Sequence, residues 1–316
     1  MQPFSHPIDV LCAGHACFDL IFSVDHLIGA DEKMLARALT ASGGGPAANA
    51  AVAVSRLGLR AAFCGYLGND LFGRRHAAEL QADDVDTRLL VRGEHPTPLA
   101  AILVTPDGLR SVVNYRKDTP PLTAAPGIAD PAPRVLLMDG HEPHAALDLL
   151  QRTAAGAISV LDAGSLNVGT RQLAGRVDHL VASQTFARQF SSCRDAEAAL
   201  DRIGSRANRS VIITCGKKGL IWKKGSRKGH LPAFPISAVD TTGAGDAFHA
   251  AFAAGLARNL PWPALLDFAS AAAALTCLKT GARPGLPGLD AVITFLRRQR
   301  HGGRTAAILQ QSFSRP

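Results

Sequence analysis

Short apolar runs alternate with amphipathic stretches along most of the chain. The runs at 8–14 (IDVLCAG), 61–68 (AAFCGYLG), 134–140 (RVLLMDG), 158–164 (ISVLDAG), 178–183 (DHLVAS) and 210–216 (SVIITCG) have the length and apolar content of buried strands. Between them, 46–57, 70–81, 143–155 and 195–206 carry helical patterns. Such alternation predicts βαβ units and an α/β fold whose parallel sheet is covered on both faces. Ligands in that architecture sit where loops converge at the carboxyl ends of the strands.

Two segments break the rhythm. In 17–27, Phe18, Leu20, Phe22 and Val24 alternate with Asp19, Ile21, Ser23 and Asp25; in 99–117, two strand patterns flank Thr105-Pro106-Asp107-Gly108. Pro at the second turn position and Gly at the fourth suit a type I turn, so 99–117 is a hairpin. Period-two strands of this kind predict a small separate sheet, with Asp19, Asn114 and Arg116 on its exposed face. It reads as a lid over the mouth of the main domain. Residues after about 303 read as a loose tail.

Composition narrows the class. Hydrophobic residues make up 47% and charged ones 19% of the 316 residues, which is ordinary for a folded soluble protein. The net charge of +8 comes largely from 217–229 and 297–304. The aromatic interleaving of nucleic-acid modules is missing there, so these are solvated lysines on a hairpin and a polar tail, in a field that attracts anionic substrates. Cys12, Cys17, Cys64, Cys193, Cys215 and Cys277 form no CxxC pair, as expected of reduced thiols in a cytoplasmic protein. The N-terminus lacks the regions of a signal peptide, and 262–278 contains Asp267 and is too short to span a bilayer. Neither a membrane nor a nucleic acid is an expected partner.

The candidate chemistry lies at 240–246, DTTGAGD, directly before the apolar AFHAAFAAGLA. A helix starting near Gly245 exposes unpaired N–H groups, its dipole favours negative charge, and glycines let a phosphate approach. Thr241 and Thr242 add hydroxyl donors. The structural alternative makes Asp246 an N-cap. Two carboxylates within one glycine turn weigh against that, because they would repel a phosphate unless each had another task. Asp246, against the dipole, is expected to be ionised and a modest base, which suits phosphoryl transfer. Neither GxxxxGK[ST] nor GxGxxG after a strand occurs. At 42–58, Gly43–Gly45 feed Pro46 and then Asn49, whose amide could hold a polyhydroxy ligand or be an ordinary satisfied helix-start asparagine.

Together, GGGPAANAAVAVSRLG (43–58) with GYLGNDLFG (65–73), and DTTGAGDAFHAAFAAGL (240–256), resemble the two signature regions of the ribokinase-like, PfkB-type sugar kinases, over roughly residues 8 to 300. The resemblance implies a Rossmann-like α/β/α sandwich with a mostly parallel central sheet and a small β-sheet lid, often a homodimer interface. Residues 1–303 would form this single domain, with lid strands from about 15–40 and 96–117, and 304–316 the tail. The implied reaction is ATP-dependent phosphorylation of a sugar or nucleoside alcohol with Mg²⁺. Asp246 matches the family's catalytic base, and Gly243, Ala244 and Gly245 its anion hole. Asp19, Gly44, Gly45 and Asn49 match the sugar-binding positions. Thr214, Gly216 and Gly219 resemble the nucleotide loop, and Asp240, Thr242, Thr276, Gly281 and Gly285 a monovalent-cation (K⁺) site. Where many members carry NxxE, this chain has Ser183 and Phe186, so no protein metal ligand is assigned.

Within the family, GGGPAA, VVNYRKD and LKTGARPGLP most resemble a bacterial branch that includes sulfofructose kinases. Lys33 and Asn114 could hold a sulfonate there, but His141 stands in place of the third residue, an arginine. A neutral ketose or a sugar with a weaker anion is equally open. His141 and His144 read as histidines that support substrate contacts or lie at the surface rather than as a metal pair, and Arg116 is either a lid residue contacting substrate or an exposed strand charge. A nucleoside kinase of the same fold and a sugar-sensing regulator are the competing functions.

Overall fold

The apolar runs pair side by side. The computed structural model describes residues 7–116, 119–127, 132–153, 156–204, 208–299 and 302–314. Its larger sheet has nine strands: β1 (Val10–Ala13), β4 (Ala61–Gly68), β5 (Leu90–Gly93), β8 (Val135–Met138), β9 (Ile158–Ala163), β10 (His179–Ser183), β11 (Ser210–Thr214), β12 (Leu220–Lys224) and β13 (Arg227–Leu231). The order is β13-β12-β11-β10-β9-β8-β1-β4-β5. Seven strands run parallel from β5 to β11, and β12–β13 is an antiparallel hairpin at one edge. That hairpin carries much of the basic cluster. The Lys224 ammonium lies over the Trp262 ring at 4.6 Å, a cation–π contact on this hairpin.

Successive residues of a strand face opposite layers. Val10 and Cys12 enter one core with α1 (Pro46–Arg56), α7 (Ala244–Ala257) and α8 (Trp262–Thr276). Leu11 and Ala13 enter the other with α3 (Pro143–Thr153), α4 (Val168–Leu173), α5 (Gln184–Ser191) and α6 (Ala196–Ile203). Helices α7 and α8 are alanine-rich and buried nearly all round, which lets their backbones approach closely.

The smaller sheet has the order β3-β2-β6-β7, from β2 (Cys17–Ser23), β3 (Ala38–Gly44), β6 (Leu99–Val104) and β7 (Arg110–Tyr115). The hairpin β6–β7 turns as its residues require, with Gly108 N–H donating to the Thr105 carbonyl at 2.9 Å. Helix α2 (Leu71–Ala82) packs behind β2, with Phe72 and Arg75 against Phe18.

Two expectations are corrected. The presumed loose tail is helix α11 (Gly303–Phe313), which follows α9 (Ala282–Gly285) and α10 (Leu289–Arg297). Its Ala306, Leu309 and Phe313 fall on one helical face, Phe313 packs on Phe268 at 5.5 Å, and Thr305 donates to Asp267 at 2.8 Å. Asp19 is also not on an exposed face, being only 6% accessible, because the lid's inner face is pressed against the main domain. Among the described residues no helix is long and apolar enough to cross a membrane.

Candidate active site

The order of strands reverses between β1 and β8, and the site is built at that point. Buried Asp139, directly after β8, accepts the N–H of His15 at 2.8 Å, of His141 at 2.9 Å and of Ala47 in the first turn of α1 at 3.2 Å. One carboxylate thereby fixes the turn after β1, the turn after β8 and the start of α1. Burial opposes its charge, but the adjacent His141 and these N–H donors hold its pKa at about 2. His141 is raised by Asp139 in return. His15 stacks on it at 5.1 Å and is lowered to about 3, chiefly by burial.

Helix α7 begins behind a left-handed N-cap, Gly243 (φ 78°), with no side-chain cap. A side chain at Gly243 would be strained there and would collide with Ala282. Asp246 is the helix's third residue, so the N-cap alternative fails. The first-turn N–H groups lack intrahelical acceptors, and Ala244 N–H makes only a long bond of 3.3 Å to Thr241.

Asp246 is half-buried, yet protein surrounds its carboxylate. Asn49, in the first turn of α1, donates to its Oδ2 at 2.8 Å. The expectation of a simply ionised Asp246 is corrected: burial and the carboxylate of Asp162 push it up to about 7, while Asn49 and His249 pull down and Asp19 adds a further push. Asp162, the residue before the end of β9, lies 3.2 Å from His249, whose ring also meets the carbonyls of Gly245 (2.6 Å) and Val181 (3.3 Å). Burial raises Asp162 as well.

Asp19 faces this group from β2, packed so tightly on Gly44 that a methyl at Gly44 would strike its carboxylate. Cys17 donates its thiol to Asp19 at 3.1 Å. Asp19 and Asn114 share one row of the lid through Ala100. Arg110 at the start of β7 reaches Thr242 at 3.1 Å, and Arg116 just after β7 pairs with buried Glu142 at 2.7 Å, so both ends of this lid segment touch the main domain. Arg116 is thus a part-buried ion-pair partner of Glu142 and not a free exposed charge.

Gly45 caps α1. Thr214 ends β11, and Gly216 and Gly219 lie in the turn that follows it. Asp240 accepts the N–H and hydroxyl of Thr242 through Oδ1 (2.9 and 2.7 Å) and the Gly281 N–H through Oδ2 (2.7 Å). It clasps the loop before α7 to the one before α9, and Gly285 at the end of α9 abuts Thr276 at the end of α8. Lys33 is not gathered with the others. It is exposed in the loop joining β2 to β3, and among the described residues it has no hydrogen-bond or ion-pair partner. His144 is exposed on α3.

Sequence reasoning missed Asp139, Asp162, Glu142 and Arg283. An acid closing an apolar strand run, as in VLLMD and SVLDA, was the available signal for the first two. For Arg283 there was none.

The family model for the pfkB family carbohydrate kinases matches residues 7–288. The chain belongs to this family. It is 28% identical to a ribokinase of Bacillus subtilis (strain 168) over 286 residues, 88% of this chain and 96% of that one. It is 31% identical to an ATP-dependent ribose-1-phosphate kinase of Halopiger xanaduensis over 298 residues, 92% and 98%. The fold matches an Arabidopsis thaliana ribokinase solved with ribose and ATP, with a TM-score of 0.79, 24% identity and coverage of 93% and 100%. This kinase therefore transfers phosphate from ATP to a sugar hydroxyl, and the ribokinase-like fold read from the sequence stands.

Proposed function

We propose that the kinase phosphorylates a small neutral sugar bound between Asp19, Asn49 and Asn114, with Asp246 as the base that takes the hydroxyl proton. The observation that carries this is the Asp246 carboxylate, held by Asn49 in the first turn of α7 and faced by Asp19 beneath the lid. A carboxyl poised at about 7 suits a proton that leaves late in a loose transition state. The N–H groups of Gly243, Ala244 and Gly245 would meet the transferred phosphoryl group, and the turn at Thr214, Gly216 and Gly219 the nucleotide.

Charge favours a neutral substrate over the sulfonate suggested by the nearer branch. Asp19, Asp162, Asp246 and Glu142 surround the cleft, and Arg116 is neutralised by Glu142. His141 is committed to Asp139, and Lys33 stands apart.

Among the described residues no cluster of three or more His, Cys, Asp or Glu could hold a metal ion. Any Mg²⁺ would therefore be held mainly by the phosphates of ATP, with one or two carboxylates at most. Asp240 acts as a clasp, and no step is assigned to K⁺. Leu109, Val112, Val113 and Tyr115 are exposed on or beside β7, an unpaired edge strand, which supports a homodimer through the lid.

ADP production across ketoses, aldoses, nucleosides and sulfosugars tests the reading. Turnover on a neutral sugar, abolished in Asp246→Asn, is expected. Turnover confined to nucleosides or sulfosugars, or near-normal turnover in Asp246→Asn, refutes it.

A further inference from the structure

Behind Asn49 lies a charge that the reaction does not touch. Arg283, in α9, is only 5% exposed, and its guanidinium serves three partners. Nε donates to Asn49 Oδ1 at 3.3 Å, Nη1 to Glu79 Oε2 at 3.3 Å and Nη2 to His76 Nε2 at 2.5 Å. Its own carbonyl accepts from Arg56 at 2.6 Å. Glu79 Oε2 also accepts the Gly43 N–H at 2.6 Å.

A primary amide has one accepting end and one donating end, and only its neighbours decide which way it faces. A guanidinium can only donate, so it selects the Asn49 oxygen. The amide nitrogen must then point the other way, to Asp246, where it lies at 2.8 Å. An Asn49 turned over would set its oxygen against the carboxylate and its N–H₂ against a cation. Through Glu79 the same guanidinium is tied to the glycine turn that carries Gly44 and Gly45.

We propose that Arg283 is a positioning residue for phosphoryl transfer, fixing the Asn49 amide so that it donates to Asp246 and holding the Gly43–Gly45 turn in register with it. This rests on the role proposed above for Asp246. The groups facing Asp246 are Asp162 from β9, Asp19 from β2, Asn49 from α1 and His249 from α7 itself. Those facing Arg283 are Asn49 and Arg56 from α1, His76 and Glu79 from α2, Asp83 just after α2, and Asp19 from β2. Of these, Asn49 alone bonds to both Arg283 and Asp246, whereas Asp19 faces both through charge only, so the hydrogen-bonded route from Arg283 to the base is that amide.

In the full chain, Arg283→Lys, which keeps charge but not the fork, and Arg283→Met are assayed from pH 5.5 to 9.5, alone and with Asn49→Leu. The Asp246 carboxyl is titrated in parallel by ¹³C NMR without ligands. Turnover at pH 7 is expected to fall about tenfold or more while KM for ATP is little changed, as the lost bond is to a charged acceptor. The acid limb and the NMR titration should both move to higher pH. In the Asn49→Leu background the further loss should be within about twofold, since the two residues act as one unit. An unmoved titration in folded Arg283→Lys, or losses that multiply fully with Asn49→Leu, overturns the proposal. Failure of both variants to fold overturns it too, since the role is then structural. If the wild type phosphorylates no sugar, the proposed function fails, and the NMR titration still decides the positioning role.

Discussion

Asn49→Leu isolates the contact on which the proposed base, Asp246, depends. Leucine matches asparagine in shape and offers no donor, so the 2.8 Å bond to Asp246 Oδ2 is removed with little change in volume. A hydrogen bond to a charged acceptor is worth about 1.5–3 kcal/mol, and one pH unit corresponds to about 1.4 kcal/mol. The bond favours the ionised form, so its loss raises the carboxyl by about one to two pH units. In the wild type, with the carboxyl at about 7, roughly half of Asp246 is ionised at pH 7. In the variant the ionised share falls to between about a tenth and a hundredth, and saturated turnover at pH 7 drops about 5- to 50-fold. Most of that loss should be recovered by pH 9 to 9.5. The assay is ADP release at saturating sugar and ATP over pH 5.5–9.5. A turnover lowered by the same factor at every pH would refute the reasoning, because Asn49 would then act through the sugar alone and not on the base.

Asp246→Asn should reduce turnover by about 10²–10⁴-fold while leaving sugar binding by calorimetry largely intact. The same variant should be more stable than the wild type above pH 7. A carboxyl whose pKa is raised on folding favours the native state below the unfolded value near 4 and loses that contribution as pH rises through about 7. Allowing for the solvent that reaches it, the gain is on the order of 2 kcal/mol at pH 8 and absent at pH 4, read by thermal melts. Asp19→Ala should weaken sugar binding about 10- to 100-fold, and an unaltered affinity would remove Asp19 from the site. Light scattering should give twice the 33.1 kDa chain mass, reduced to one chain by Val113→Asp; a monomeric wild type would dismiss the lid interface.

The sheet was legible because its strands are buried on both faces and so read as unbroken apolar runs, 135–138 and 210–214 among them. The lid was legible from alternation and from Pro106 and Gly108. Its burial was not, because period two tells which residues share a face and not which face meets protein, so Asp19 was placed outside. The tail was misread for a related cause: Ala306, Leu309 and Phe313 need Phe268 of α8 to be recognised as a packing face. Asp246 could be located but not titrated from sequence. The dipole argument is local, whereas the outcome is set by Asp162 and Asn49, brought in by β9 and α1. Lys33 shows the converse, since a loop position carried by resemblance has no packing to draw it inward.

Asp139 and Asp246 show that burial alone does not fix the charge of this cleft. Both are enclosed by protein, yet one lies at about 2 and the other at about 7. Asp139 receives three backbone N–H groups and a neighbouring imidazole, each favouring the anion. Asp246 receives one amide N–H and faces Asp162 and Asp19. The number of donors therefore separates a fixed anchor from a group that exchanges its proton near neutrality. The two are mechanically joined, since Asp139 seats the first turn of α1 and that turn carries Asn49 to Asp246. A change that loosened Asp139 would thus reach the base without touching it, through the same amide whose orientation Arg283 sets from the other side.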